Sequence, residues 1–171
     1  MFAQTGGIRR NVVSYQDPYE IITLYNAAFA RGKWGLLWAY LTGRSRALLS
    51  LKEILQSSKV QAVISAGTLM VPIAQIDGSE NRFADFDCNF NPLRHHTRDR
   101  WLSIARARQQ KHNLPPVTLI QVGDHFFVRD GHHRISVARA FRDTAVHANV
   151  FVWQVISISI NIQEASCPSC P

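Results

Sequence analysis

Four polar side chains, the last three of them able to hold a phosphate, fall within five residues, in the run Asp130-Gly131-His132-His133-Arg134. A guanidinium grips two phosphate oxygens at once, and imidazoles change charge close to neutral pH. Upstream, His125-Phe126-Phe127-Val128 has the composition of a buried strand. Downstream, Ile135, Ala138 and Phe141 recur three apart, with Arg134, Ser136, Arg139 and Arg142 around them, as on a half-buried helix. The stretch therefore reads strand, tight turn, helix. Free amides and the positive end of the helix dipole make such a corner an anion site. The plainer reading is a turn glycine, a capping aspartate and solvated histidines. The density of phosphate-competent groups where an apolar strand meets a helix favours the functional one.

A pocket needs a second wall. Residues 69–76 read as a strand interrupted by Pro72, followed by the polar turn Asp77-Gly78-Ser79-Glu80-Asn81-Arg82 and an aromatic, acidic loop over 83–90. The density of polar side chains there, Ser79, Glu80, Asn81 and Arg82 among them, makes this stretch the best source of that wall. Residues 94–111 read as a helix with Trp101, Leu102, Ile104, Ala105 and Ala107 inward, and its arginines 94, 98, 100, 106 and 108 read as solvated. His95 and His96 at its start point about 100° apart, so they do not chelate one ion as an i, i+4 pair does, and no metal site is expected.

The elements that position these residues follow in order. Leu114-Pro115-Pro116 ends the helix, Val117–Val122 is a strand, and Gly123-Asp124 turns the chain into the strand of the opening stretch. Residues 146–153 and 155–162 read as two further strands. Runs of helix and hairpin without βαβ repetition predict an α+β domain over 61–171. Residues 1–60 form a basic N-terminal helical segment. After an irregular lead-in, helices are expected from Asp17-Pro18 to Arg31-Gly32, over 34–41 and over 45–58. The segment holds eight Lys/Arg against three Asp/Glu (+5), the remainder eleven against nine (+2), which together make the net charge of +7. An acidic partner is implied, nucleic acid included. The apolar patch at Trp34, Leu36, Leu37, Trp38, Tyr40 and Leu41 is expected to pack on the rest of the chain, ahead of a DNA-reading or membrane-surface role.

No apolar run approaches the roughly 20 residues needed to span a bilayer. The start of the chain lacks a signal peptide's continuous apolar core, so a cytoplasmic location is expected. The three cysteines argue against a disulfide framework, and the terminal Cys167-Pro168-Ser169-Cys170 lacks two further zinc ligands.

The succession of Val71-Pro72-Ile73, the polar loop with Arg82, Ser103-Ile104, Leu114-Pro115-Pro116-Val117, a hairpin and Asp130-Gly131-His132-His133-Arg134 resembles the ParB/sulfiredoxin superfamily over about residues 69–153. The resemblance implies a small mixed sheet with packed helices. It makes Gly131, His132, His133 and Arg134 a phosphate turn, with Glu80 and Arg82 on the facing loop. His132 stands where sulfiredoxins carry their reactive cysteine, and Gly-His-His-Arg replaces the Gly-Glu-Arg-Arg of ParB. The turn is most similar to that of the ADP-dependent free-serine kinases, which implies a carboxylate base: Glu80 first, then Asp77 or Asp85. The leading expectation is a pocket for a nucleotide (ADP, ATP or CTP, with Mg²⁺) or another phosphate ester, serving a phosphotransferase. In it Asp130 orients a histidine, and His133 and Arg134 hold phosphate. The alternatives are a ParB-like DNA-binding or nuclease protein and a non-catalytic interaction module.

Overall fold

The computed structural model describes residues 18–82 and 84–157. The lead-in over 1–16, the expected end of the last strand over 158–162 and the terminal cysteine pair lie outside them.

The chain is α+β, with a six-stranded mixed sheet and packed helices among the described residues. A long helix α1 (Pro18–Thr42) leads into the short strand β1 (Leu49–Ser50), the one-turn helix α2 (Leu51–Ile54) and a 3-10 turn over Leu55–Ser57. Strand β2 (Ser58–Pro72) and, after a second 3-10 turn, β3 (Ile76–Ser79) follow. Helix α3 (Arg98–Gln109), the hairpin of β4 (Val117–Val122) and β5 (His125–Asp130), helix α4 (His132–Ala140) and β6 (Ala145–Ser157) complete the order. Across the sheet the strands run β1-β3-β5-β4-β6-β2. The β4–β5 and β6–β2 pairs are antiparallel, and the other three are parallel.

Alternation along β4 shows why the centre of the sheet is fixed. Val117 and Leu119 join Val128, Ile135 and Val150 in a core under α4, whereas Ile120 and Val122 join Phe127 and Leu51 in a core on the opposite face. A strand covered on both sides must be apolar at nearly every position, as this one is. A third cluster seats α1 and α3 against α4 through Ile21, Tyr25, Trp101, Leu102, Ala105 and Val137.

Several N-terminal elements differ from their expected form. The break expected at Gly32 does not occur, and α1 continues to Thr42. Gly32 faces inward, where an added Cβ would stand 3.0 Å from both Leu93 and the Pro92 carbonyl, so this glycine allows a close approach and does not end the helix. The helix expected over 45–58 is interrupted because Leu49 and Ser50 pair with Gly78 and Ser79 of β3, and sheet pairing overrides the helical period. The polar turn at 77–79 is strand for the same reason. Strand β2 begins eleven residues before the expected start at 69, and β6 is one strand through Val155.

Candidate functional site

At the corner between β5 and α4, Gly131 has φ 101° and ψ 18° and serves as N-cap of α4. This left-handed backbone favours glycine, and an added Cβ would lie 2.6 Å from Val117 Cγ1. No side chain caps the first turn of α4, so its leading amides stay available to an anion.

A hollow of about 200 Å³ opens beside this corner. It is lined by Gly131, His132, His133, Arg134 and Asp130 on one side, and by Arg82, His96, Arg100 and Ile104 on the other. Positions 96, 100 and 104 are spaced four apart along α3 and the turn before it, and present one face to the corner. Arg100 enters no hydrogen bond or ion pair with another described residue, whereas Arg82 donates to Asp85 at 3.3 Å and His96 lies 3.5 Å from the same carboxylate.

The two histidines are buried, and both pack against the buried ring of Phe86. Its ring stacks on His132 at 6.1 Å and meets His133 edge-on at 5.3 Å. Burial, then the charges of Arg82 and His133, lowers the His132 pKa from 6.5 to about 4. Burial, then Arg100 and Arg82, does the same for His133. Both imidazoles are thus neutral at pH 7.

They differ in their partners. Ser79 Oγ accepts the amides of Asn81 and Arg82 at 3.2 and 2.9 Å, and lies 2.7 Å from His132 Nε2. With both lone pairs engaged, the hydroxyl proton goes to His132, which fixes that ring as the Nδ1–H tautomer. Ser79 thereby ties the loop that carries Arg82 to the first turn of α4. His133 Nε2 has no partner among the described residues, although it is buried. A buried polar nitrogen left unmatched costs about 1–3 kcal/mol.

Arg134 lines the hollow but is committed elsewhere. Its Nη1 donates to the carbonyls of Pro115 and Pro116 at 2.5 and 2.7 Å, and its Nη2 to Asp130 at 2.5 Å. The side chain staples the entry to β4, the end of β5 and the start of α4 together. A fork toward a ligand forms only if Asp130 yields, and Asp130 holds this arginine where the sequence had it orienting a histidine. Ser79 is fully buried and outside the lining, acting through His132. Glu80 also lies outside, in a two-point ion pair with Arg129 at 3.0 and 3.1 Å. Asp77 pairs with His125 at 2.7 Å. The structure therefore brings together Arg82, Asp130, Gly131, His132, His133 and Arg134, and adds His96, Arg100 and Ile104, whose four-residue spacing was the available signal.

The geometry defines an α+β domain with a hollow lined by arginines and histidines at a helix start. A solved structure of sulfiredoxin from Arabidopsis thaliana is similar to it over 48% of this chain and 82% of that one, with 13% identity and a TM-score of 0.37. No protein-family model and no curated protein matches the chain. Among the described residues no helix is long and apolar enough to cross a membrane.

Proposed function

We propose that the hollow at the β5–α4 corner binds the phosphate of a nucleotide or another phosphate ester. The observation that carries this reading is His133 Nε2, buried without a partner at the uncapped start of α4. A phosphoryl oxygen there accepts from the imidazole and the helix amides together, while Arg82 and Arg100 supply the compensating charge. Clefts that enclose a whole drug-sized ligand measure roughly 300–1,000 Å³. At about 200 Å³ this one seats a phosphoryl group and leaves the rest of the ester at the mouth.

The same geometry supports binding more than phosphoryl transfer. Glu80 is neutralised by Arg129 away from the hollow, and Asp130, the one carboxylate in the lining, is held by Arg134. Nor does the lining suit Mg²⁺ on its own, since three arginines and three histidines surround that single carboxylate. A metal would enter with the phosphates it accompanies.

Calorimetric titration with ADP, ATP, CTP and inorganic phosphate, with and without Mg²⁺, tests the proposal. Binding should weaken about tenfold in Arg100→Ala, while the melting temperature of the free protein changes little because the residue is exposed and pairs with no other described residue. No heat with any of these ligands at millimolar concentration refutes it.

A further inference from the structure

Helix α1 is amphipathic in the reverse of the usual sense along its C-terminal half. The positions turned toward the body are small, Ala28, Gly32, Gly35 and Ala39, while Trp34, Leu37, Trp38 and Leu41 are between 47 and 70% exposed. Spaced at i, i+3, i+4 and i+7, these four large residues form one stripe on the opposite side of the helix. Arg31 and Lys33 flank it, and Arg44 follows just beyond the helix end; all three are exposed. Between Glu20 and Glu53 the chain has no acidic residue but carries Arg31, Lys33, Arg44, Arg46 and Lys52.

We propose that this face of α1 lies on an anionic lipid bilayer surface, with the helix in the plane of the interface. Charge selects this occupant. The stripe is bordered by a single sign of charge, so anionic headgroups complement its margins while the indoles and leucines enter the headgroup and acyl boundary. A second copy docked on the same stripe would bring the flanking cations of both chains together. The outward direction matters too, because a flat surface meets the whole stripe without touching the body of the domain. Tryptophan and tyrosine, amphipathic rings suited to a boundary of this kind, supply Trp34, Trp38 and the neighbouring exposed Tyr40. The helix is not apolar enough to cross a bilayer, so the stripe would meet the surface and not span it.

Co-sedimentation of the full chain with phosphatidylcholine vesicles, with and without phosphatidylglycerol, tests this directly. Trp101 is fully buried and bonded to Ser136, and Trp153 is partly buried under the Arg129 guanidinium, so the exposed indoles 34 and 38 should dominate a blue shift in emission. The expected result is binding and a blue shift with phosphatidylglycerol vesicles, weakened by salt and by Arg31→Glu with Lys33→Glu. Trp34→Ser with Trp38→Ser should lower partitioning by roughly tenfold or more at an unchanged melting temperature. Absence of binding to phosphatidylglycerol vesicles at low salt overturns the proposal, as does undiminished binding by the tryptophan double variant. A dimer in sedimentation equilibrium that the same double variant dissolves also overturns it, by assigning the stripe to a second copy.

Discussion

Acid should destabilise this fold well before its carboxylates are protonated, because two neighbouring imidazoles are buried uncharged. His132 and His133 are 4% and 8% exposed, and each titrates at about 4 in place of 6.5. In the unfolded chain both take up a proton as the pH falls through 6.5, while in the native state both refuse it until about 4. The unfolded state thus binds more protons across this interval. The stability these groups contribute is whole above pH 6.5 and is lost steadily as the pH falls toward 4. The slope is about 1.4 kcal/mol per pH unit for each histidine. Integrated over the interval, the loss is roughly 3 kcal/mol per residue and roughly 6 kcal/mol for the pair, against the 5–15 kcal/mol of an ordinary domain.

Urea unfolding followed by circular dichroism from pH 7.5 down to 4.5 measures this slope. Carboxylates begin to contribute at the acid end, so the informative quantity is the difference from His133→Asn, which keeps a polar side chain but cannot titrate. The variant's stability should fall less steeply, by about 1.4 kcal/mol per pH unit. Parallel curves for the two proteins between pH 6.5 and 4.5 would show that His133 is not held neutral by its surroundings. Saturating inorganic phosphate should also flatten the wild-type curve, since an anion in the hollow favours the imidazolium beside it.

Three substitutions separate support from contact at the same corner. Arg134→Ala removes the staple across Pro115, Pro116 and Asp130 and should lower stability by about 3 kcal/mol, read as a reduced urea midpoint; a change within 0.5 kcal/mol or so contradicts the structural role. Gly131→Ala combines a left-handed backbone with a contact of 2.6 Å to Val117 and should cost about 2–3 kcal/mol in the same measurement. Ser79→Ala leaves two amides and His132 Nε2 without their shared partner and should cost about 2–3 kcal/mol. The His132 imidazole should then change its nitrogen chemical shifts, and unaltered shifts would disprove the tautomer assignment.

The central fold was legible where the signal was local. The β4–β5 hairpin carries its turn at Gly123, and the period changes from strand to helix across Gly131, so both boundaries come within a residue of expectation. What could not be read depends on distant partners. Residues 45–58 have a helical apolar period, yet two of them are drawn into a parallel ladder by Gly78, a glycine that brings the strand close to Phe127. Strand β2 gave little signal because it sits at the sheet edge with most of its side chains exposed, and alternation appears only where one face is buried.

The site divides along the same line. Arg82 and the residues of the Asp-Gly-His-His-Arg run were found from their types, and they do surround one hollow, but type alone does not distinguish a ligand contact from a brace. Arg134 shows why: the guanidinium that suits a phosphate also suits two carbonyls and a carboxylate, and the adjacent Pro115-Pro116 segment provides carbonyls whose amide neighbours cannot form a ladder. Arg100 shows the converse. On the helix expected over 94–111, with its five arginines, it looked like one solvated charge among several, and only the packing of α3 across the corner gives it a direction. Of the three arginines that line the hollow, Arg100 is the one that pairs with no other described residue, while the motif arginine braces the corner.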